Sequence, residues 1–412
     1  MVSSRFFKRL KMKTNIQEKL RANKEAWIDM LHILRRELYT IFTDKGVLIV
    51  FFVACLVYPM VCGYIYNHEV MTDMPVAVVD KSNTALSREY IRRVDATPEV
   101  RIARSCESLQ EAQNLQRHSQ VHGIIYIPED FSTSINTKRQ TTVSIYADVT
   151  SFFWYRNLAL ASSSVSLTMG GEIQAKNRIA AGEMYDQAVS QVQPFKPTQH
   201  VLYNPGGYPS FILPIVLILV LQQTLLIGIG MMTGKATETN KLHIMIPENA
   251  HYRGLLRIIF GRALALFITY IPIVVYMLII VPKFFNLPQL ADSSFEILWF
   301  ITPFLFAVIL MGMTIGTFFK NKEDAIPFYI FLSVPMLLLT GLSWPREAMP
   351  AVWEAVSHLF PSTDAANAFA RLNSMGSSMA EISSEHLWLW ILAGFYFLTT
   401  YFAYQLKLKK AR

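Results

Sequence analysis

Hydrophobic residues in this chain gather into blocks separated by polar stretches, instead of forming the single stripe of a soluble helix. A bilayer core takes about 20 consecutive apolar residues per helix. Six blocks fit that requirement: Gly46–Tyr66, Phe211–Met232, Ile258–Val281, Leu298–Phe319, Ile326–Leu342 and Leu387–Tyr404. The fifth is the shortest. The stretch between the first and second blocks, 67–210, has another rhythm. PVAVVD (75–80), GIIYIP (123–128) and TVSIYAD (142–148) are short β-branched runs bounded by Pro, Gly or Asp, and read as strands. VRIAR (100–104) is a less regular fourth. Thr84–Val94 and Ser108–Ser119 carry helical spacing, with Ser82 or Asn83 as the N-cap of the first. A long helical stretch, Ser151–Val192, follows; its small residues (Ala159, Ala161, Gly170, Gly171, Ala175) permit close packing. Strands alternating with helices indicate a small α/β domain. The predicted fold class is an α-helical polytopic membrane protein with six transmembrane helices and a small extracytoplasmic α/β domain inserted between spans 1 and 2.

Composition agrees with that pattern. Of 412 residues, 52% are hydrophobic and only 17% charged, against about 25% charged in ordinary soluble domains. The net charge of +8 does not indicate nucleic acid, because the basic residues recur beside the apolar blocks, where membrane orientation requires them. Arg35, Arg36 and Lys45 precede span one; Lys235, Lys241, Arg253 and Arg257 lie between spans two and three, with Arg262 just inside the third. Lys320 and Lys322 separate four from five, and Lys407, Lys409, Lys410 and Arg412 follow six. The alternate flanks carry only Lys283, or Arg346 and Arg371. Both ends of the chain are therefore expected in the cytoplasm, with 67–210 outside. A charged segment, 1–45, precedes the first block, which is too long for a signal-peptide core and is expected to remain as an anchor. Cys55, Cys62 and Cys106 suggest neither a disulfide framework nor a metal site.

The candidate chemistry is notable for what it lacks. No Asp, Glu, Lys, Arg or His falls between Lys45 and His68, His200 and Lys235, Arg262 and Lys283, Glu296 and Lys320, Asp324 and Arg346, or His386 and Lys407. Ion-coupled carriers keep such groups at depth, so the energy source is expected outside the membrane part. The nearest approach to a phosphate loop, TGKAT (233–237), has Ile229 and Ala236 where glycine and Ser/Thr are required. No catalytic, cofactor or metal constellation is present in the sequence; His118 and His122 read as a solvated pair. Among the polar residues in the blocks, Gln222, Gln223 and Thr340 are candidates to line a cavity, and the two glutamines could equally hydrogen-bond between helices. Gly312 and Gly316 form a G-x-x-x-G close-approach pattern in span four.

Two amphipathic stretches flank the blocks. WIDMLHILRRELYTIFT (27–43) places Trp27, Leu31, Leu34, Leu38 and Phe42 on one helical face, with Arg35, Arg36 and Glu37 elsewhere, a pattern suited to lying in the cytoplasmic interface. After span five, GLSWPREAMPAVW (341–353) leaves the apolar phase, turns at Pro345 and Pro350, and returns to VWEAVSHLF, too short to cross a bilayer.

The order of elements resembles the ABC-2 family of transporter permeases, in the exporter branch with a large soluble insert after the first span. The likeness rests on VAVVDKSNTALSREY, GIIYIPEDFS and VSIYADVT in the insert, and on LYNPGGYPSFILPIVLILVLQQT (202–224). It also rests on GLSWPREAMPAVWEAVSHLFPSTDAANAFARL (341–372) and on RRELYTIFTDKG (35–46). The resemblance implies a bacterial inner-membrane protein without enzymatic activity or cofactor, which moves its substrate outward using ATP hydrolysed by a separate ATP-binding cassette subunit; by polarity matching alone, the uncharged spans suit a lipophilic or amphiphilic substrate. It implies an outer gate of two short re-entrant helices over 343–361, carried here by Gly341, Trp344, Pro345, Met349, Pro350, Trp353, Phe360 and Pro361, with Pro361 ending the second dip. It implies a coupling helix in IPENAHYRGLLR (246–257), with Pro247, Glu248, Asn249, His251, Tyr252 and Arg253 toward the ATPase. It further implies a second permease copy, as homodimer or sister heterodimer, contact with membrane lipid, and no nucleic acid; engagement of a periplasmic adaptor and outer-membrane channel stays open. The alternative is a membrane-anchored scaffold whose insert recruits an envelope partner.

Overall fold

The computed structural model describes residues 25–65, 72–148, 151–192, 208–239, 254–287, 289–291, 293–342 and 344–411. The chain divides into two compact units, one formed by Val70–His200 and the other by the chain on either side of it.

The first unit holds four strands, β1 (Met74–Asp80), β2 (Val100–Ser105), β3 (Gly123–Ile127) and β4 (Ser144–Ala147), in the order β2-β1-β3-β4. β1 runs parallel to β2 and β3, and β4 closes the edge antiparallel to β3. β1 and β3 are buried on both faces, which is why they read as unbroken apolar runs; β2, at the edge, is mostly exposed and carries two arginines. Side chains alternate across the sheet. On one side Val76, Val78 and Ile125 pack with Tyr90, Leu158, Ala161 and Val165; on the other Ala77, Val79 and Ile124 pack with Cys106, Ala112 and Val121. Numbered after α1 (25–43) and α2 (Lys45–Ile65) of the other unit, the helices are α3 (Ala85–Asp95), α4 (Leu109–Arg117), α5 (Phe131–Asn136), α6 (Phe152–Ala180) and α7 (Tyr185–Val192). The long predicted helix is thus broken by a turn, with Gly182 at φ 97°. Arg93 of α3 donates to both carboxylate oxygens of Glu172 on α6, each at 2.9 Å, and also to Glu89.

The cap of α3 is neither Ser82 nor Asn83 but Thr84. Asp80 Oδ1 accepts from the amides of Ser82 and Asn83, a turn that delays the helix. Thr84 and Ser87 then exchange bonds, Ser87 N to Thr84 Oγ1 at 3.2 Å and Thr84 N to Ser87 Oγ at 3.0 Å. Thr84→Ala is expected to cost about 1 kcal/mol. The readout is faster hydrogen exchange across α3, which Thr84→Ser should not show.

The second unit is helical among its described residues. A helix over 25–43 (α1) leads into α2 (Lys45–Ile65). After the insert come α8 (Tyr208–Glu238), α9 (Leu255–Phe284), α10 (Ser294–Gly316), α11 (Ala325–Leu339), α12 (Ala351–Ser357), α13 (Pro361–Met375) and α14 (Ser383–Ala411). Among the described residues, five helices are long and apolar enough to cross a membrane: Lys45–Ile65, Ile212–Glu238, Leu255–Phe284, Ser294–Gly316 and Ser383–Lys407. The expected fifth span is α11, of only 15 residues. α8 and α10 form the centre; Leu221, Leu225, Ile229, Phe300, Phe304 and Val308 are all fully enclosed. Gly312 and Gly316 of the G-x-x-x-G pattern face α8, where an added Cβ would stand 3.0 Å from Ile229 and 3.1 Å from Thr233. Thr314 ties α10 to α14 through Thr399 and Thr400, at 3.0 and 2.8 Å. Both α2 and α9 contain a wider π-type turn, Ile49–Ala54 and Tyr276–Ile280. Tyr276 Oη donates across to the Leu56 carbonyl at 2.9 Å.

Candidate functional site

α1 turns an acidic seam, not an apolar one, toward the rest of its unit. Asp29, Ile33, Glu37, Ile41 and Asp44 recur at helical spacing and are all buried. Trp27, Leu31 and Phe42, the predicted apolar face, are 64%, 56% and 56% exposed, as a face meeting lipid requires; Leu38 is half-buried and Arg35 exposed, while Arg36 is half-buried. Glu37, which the sequence sets off the apolar face, is only 3% exposed.

Each acid of the seam meets cations from other elements. Asp29 Oδ2 accepts from Arg257 Nη1 at 2.7 Å. Arg262, 1% exposed, has its Nε 2.9 Å from Glu37 Oε1 and donates from Nη1 to Tyr404 Oη of α14 at 2.5 Å. Its guanidinium also lies 5.9 Å from the centre of the Tyr404 ring. Asp44 accepts from Lys235 of α8 at 2.5 Å and from Lys322, in the loop before α11, at 2.7 Å. Asp44 also caps α2, its Oδ1 accepting from the amides of Gly46 and Val47. Close packing permits the seam: at Gly261 of α9 an added Cβ would meet Ile33 at 2.9 Å. Beside it, a notch of about 260 Å³ opens between α1 and α8, walled by Tyr39, Thr40, Thr43, Met232 and Ala236 among others. α1 is thereby linked to α8, α9, α14 and the loop before α11, so a displacement of α1 is felt by all of them.

Burial alone would raise the pKa of Asp44, but the hydrogen bonds from Lys235, Lys322 and the Val47 amide outweigh it and hold the carboxyl well below its ordinary range. A depressed native value means that Asp44 contributes its full stabilisation above the unfolded carboxylate pKa of about 4, and loses it as pH falls below that toward the native value. Asp44→Ala is expected to cost about 1–2 kcal/mol from the lost cap, plus the lysine pairs, at neutral pH, and to narrow its gap to wild type in acid. Thermal unfolding of the two proteins at neutral and acidic pH checks both statements.

The opposite feature of this unit is the stretch from α11 to α13. The chain turns at Gly341 with φ 88°. Pro345 precedes a 3₁₀ turn, Arg346–Ala348, Pro350 starts α12, and Phe360 caps α13. Trp344 and Trp353 are exposed, and Met349 and Phe360 are half-buried. Pro361 does not end a helix; it occupies the first turn of α13, where its missing N–H costs nothing. Behind these residues a cluster pins the turn. Arg346 lies 3.4 Å from Asp364 and donates from Nη2 to His358 Nε2 at 2.9 Å; since arginine only donates, Nε2 accepts and Nδ1–H donates to Asp364 Oδ2 at 3.0 Å. Trp388 and Tyr396 of α14 donate to the carbonyls of His358 and Leu359.

Of the two readings the sequence left for Gln222, the structure takes the interhelical one. It is fully buried, donating to Ser362 Oγ at 2.8 Å and accepting from Ser362 N at 2.9 Å. Thr340 is 1% exposed and its hydroxyl is spent on Leu337 O. Gln223 stays half-buried, and its Oε1 has no partner among the described residues. The coupling candidates Pro247, Glu248, Asn249, His251, Tyr252 and Arg253 lie outside the described residues.

Sequence reasoning missed Asp29, Asp44, Tyr404, Ser362 and Asp364. A signal existed for the first two: acids spaced through an otherwise apolar helical face, beside arginines at the start of the third block. For Ser362 and Tyr404 nothing in the pattern names a partner 140 or 142 residues away, and for Asp364 nothing in it marks Arg346 and His358, 18 and 6 residues before it, as facing it. A family model described as ABC-2 family transporter protein matches residues 45–402, which covers most of the chain. No curated protein matches it.

Proposed function

The chain belongs to the ABC-2 transporter family, and from that premise we propose that it is the permease subunit of an ATP-driven exporter for lipophilic or amphiphilic substrates. Membrane subunits of this family normally work with an ATP-binding cassette ATPase. In this reading the ATPase engages the coupling segment at 246–257 together with α1, and its closure on nucleotide moves α1. The observation that carries the mechanism is the acidic seam, which fastens α1 to α8, α9, α14 and the loop before α11 at Arg257, Arg262, Lys235, Lys322 and Tyr404. Motion imposed at one end thereby reaches several helices together.

Two copies, identical or sister, enclose the pathway, with Gln223 as the candidate polar group toward it. Six helices cross the bacterial inner membrane, α11 among them, with the insert outside and the Lys/Arg-rich flanks in the cytoplasm. The stretch 341–361 closes the exit, its turn held by the Arg346–His358–Asp364 cluster, with the exposed Trp344 and Trp353 sealing it.

Reconstitution into liposomes with and without the ATPase tests the proposal. Transport is expected only with both proteins, and should vanish when the phosphate-loop lysine of the ATPase is replaced. Compounds that raise ATP turnover identify the substrate. Accumulation of a solute against its gradient by the chain alone would overturn the reading.

A further inference from the structure

The insert unit carries a groove that the transport reading does not use. About 880 Å³ lies open between α5, the segment that follows it, and one face of α6, within the usual range for small-molecule sites. Its walls are apolar where Phe131, Ile135, Val143, Met169 and Ile173 meet it. Gly170 leaves space there, since a Cβ built on it would meet nothing within 4 Å. The rim is cationic. Arg178 is already committed to Glu183 and Gln191. Lys138 and Arg139 are exposed and make no ion pair among the described residues. Close by, the Thr141 hydroxyl is buried with no hydrogen-bond partner among the described residues, an arrangement that is unfavourable unless a ligand answers it.

An apolar trough ending at two uncompensated cations and an idle hydroxyl is complementary to one kind of molecule. We propose that this groove binds an amphiphile with a single alkyl chain and an anionic head, the chain lying along Ile135, Met169 and Ile173 and the head meeting Lys138, Arg139 and Thr141. A cationic amphiphile would meet like charge at the rim, and a fully apolar molecule would leave Lys138, Arg139 and Thr141 unanswered. The inference is independent of whether the membrane unit exports anything.

The test uses the full chain in phosphatidylcholine nanodiscs, with 11-(dansylamino)undecanoate as a fluorescent probe and empty discs as the reference. Saturable binding above that reference is expected, with slower hydrogen exchange over 131–143. The K138E/R139E pair should weaken binding by about tenfold or more, the equivalent of about 1.4 kcal/mol. Gly170→Trp, which fills open space, should abolish it. Exchange protection of β1 and β3 shows that each variant keeps its fold. Competition from phosphatidylglycerol placed in the discs assigns the anionic head to bilayer lipid, and its absence assigns it to a free amphiphile. Binding no greater than to empty discs, equal binding of the trimethylammonium analogue, or binding unchanged by Gly170→Trp would overturn the proposal. So would a groove already protected from exchange, and unchanged by the probe, in the free chain.

Discussion

Glu37→Ala is expected to destabilise the membrane unit by about 3–5 kcal/mol, the cost of leaving a buried charge unpaired. Arg262 is 1% exposed, so water does not replace the missing carboxylate, and Tyr404 offers only a neutral oxygen. The loss should appear as a lower unfolding temperature in detergent and a lower yield of intact chain. Replacing both partners, as Glu37→Met with Arg262→Met, should recover much of the loss, because a well-packed apolar pair often matches a buried ion pair. The recovery defines a coupling energy between the two positions. If the seam also transmits motion from the ATPase, the double variant should be stable yet poor at transport. A Glu37→Ala chain as stable as wild type would remove the seam from the account.

The second large effect is expected at Gly234 of α8. A Cβ there would stand 2.2 Å from the carbonyl oxygen of Asn321 and 3.1 Å from Lys322 Cα. That obstacle is backbone, with no flexible side-chain end to swing away. Alanine is otherwise the better helix former by about 1 kcal/mol, so the sign of the outcome reports which effect wins. Gly234→Ala is expected to cost about 1–3 kcal/mol by overpacking and to pull Lys322 away from Asp44. The same exchange at Gly394, where an added Cβ meets nothing within 4 Å, should leave the unfolding temperature unchanged or raise it. Equal behaviour at the two sites would contradict the close approach of α8 to the 320–324 loop.

The insert was the most legible region. Each predicted strand falls within two residues of an observed one; β1 and β3, covered on both faces, leave unbroken β-branched runs bounded by turn residues, while the edge strands β2 and β4 are mixed in polarity and β2 gave the less regular pattern. The cap of α3 was missed by one or two positions, since Asp80, Ser82, Asn83 and Thr84 all offer side-chain oxygens or turn chemistry and only the tertiary path selects Thr84. Helix blocks were legible from length alone. Their partners were not: that Gln222 meets Ser362, or that Asp44 draws Lys235 and Lys322 together, depends on which helices become neighbours, and hydropathy carries no such information. Pro361 shows the limit of local rules. Proline both stops a helix and suits its first turn, and the residues beyond, polar at Ser362, Thr363 and Asp364 yet enclosed from Ser362 to Ala366, decided for the second.

One dimension of α11 bears on the surrounding lipid. Fifteen residues rise about 22 Å, short of a hydrocarbon layer of about 30 Å, while Ile330, Phe331, Val334 and Leu338 point outward from the chain. Standing in a bilayer, this helix matches its apolar length only if the adjoining leaflet thins, at a cost of fractions of a kcal/mol per Å. Headgroups would then dip beside the Gly341 turn, forming a dimple that shortens the distance a greasy solute travels before it touches water.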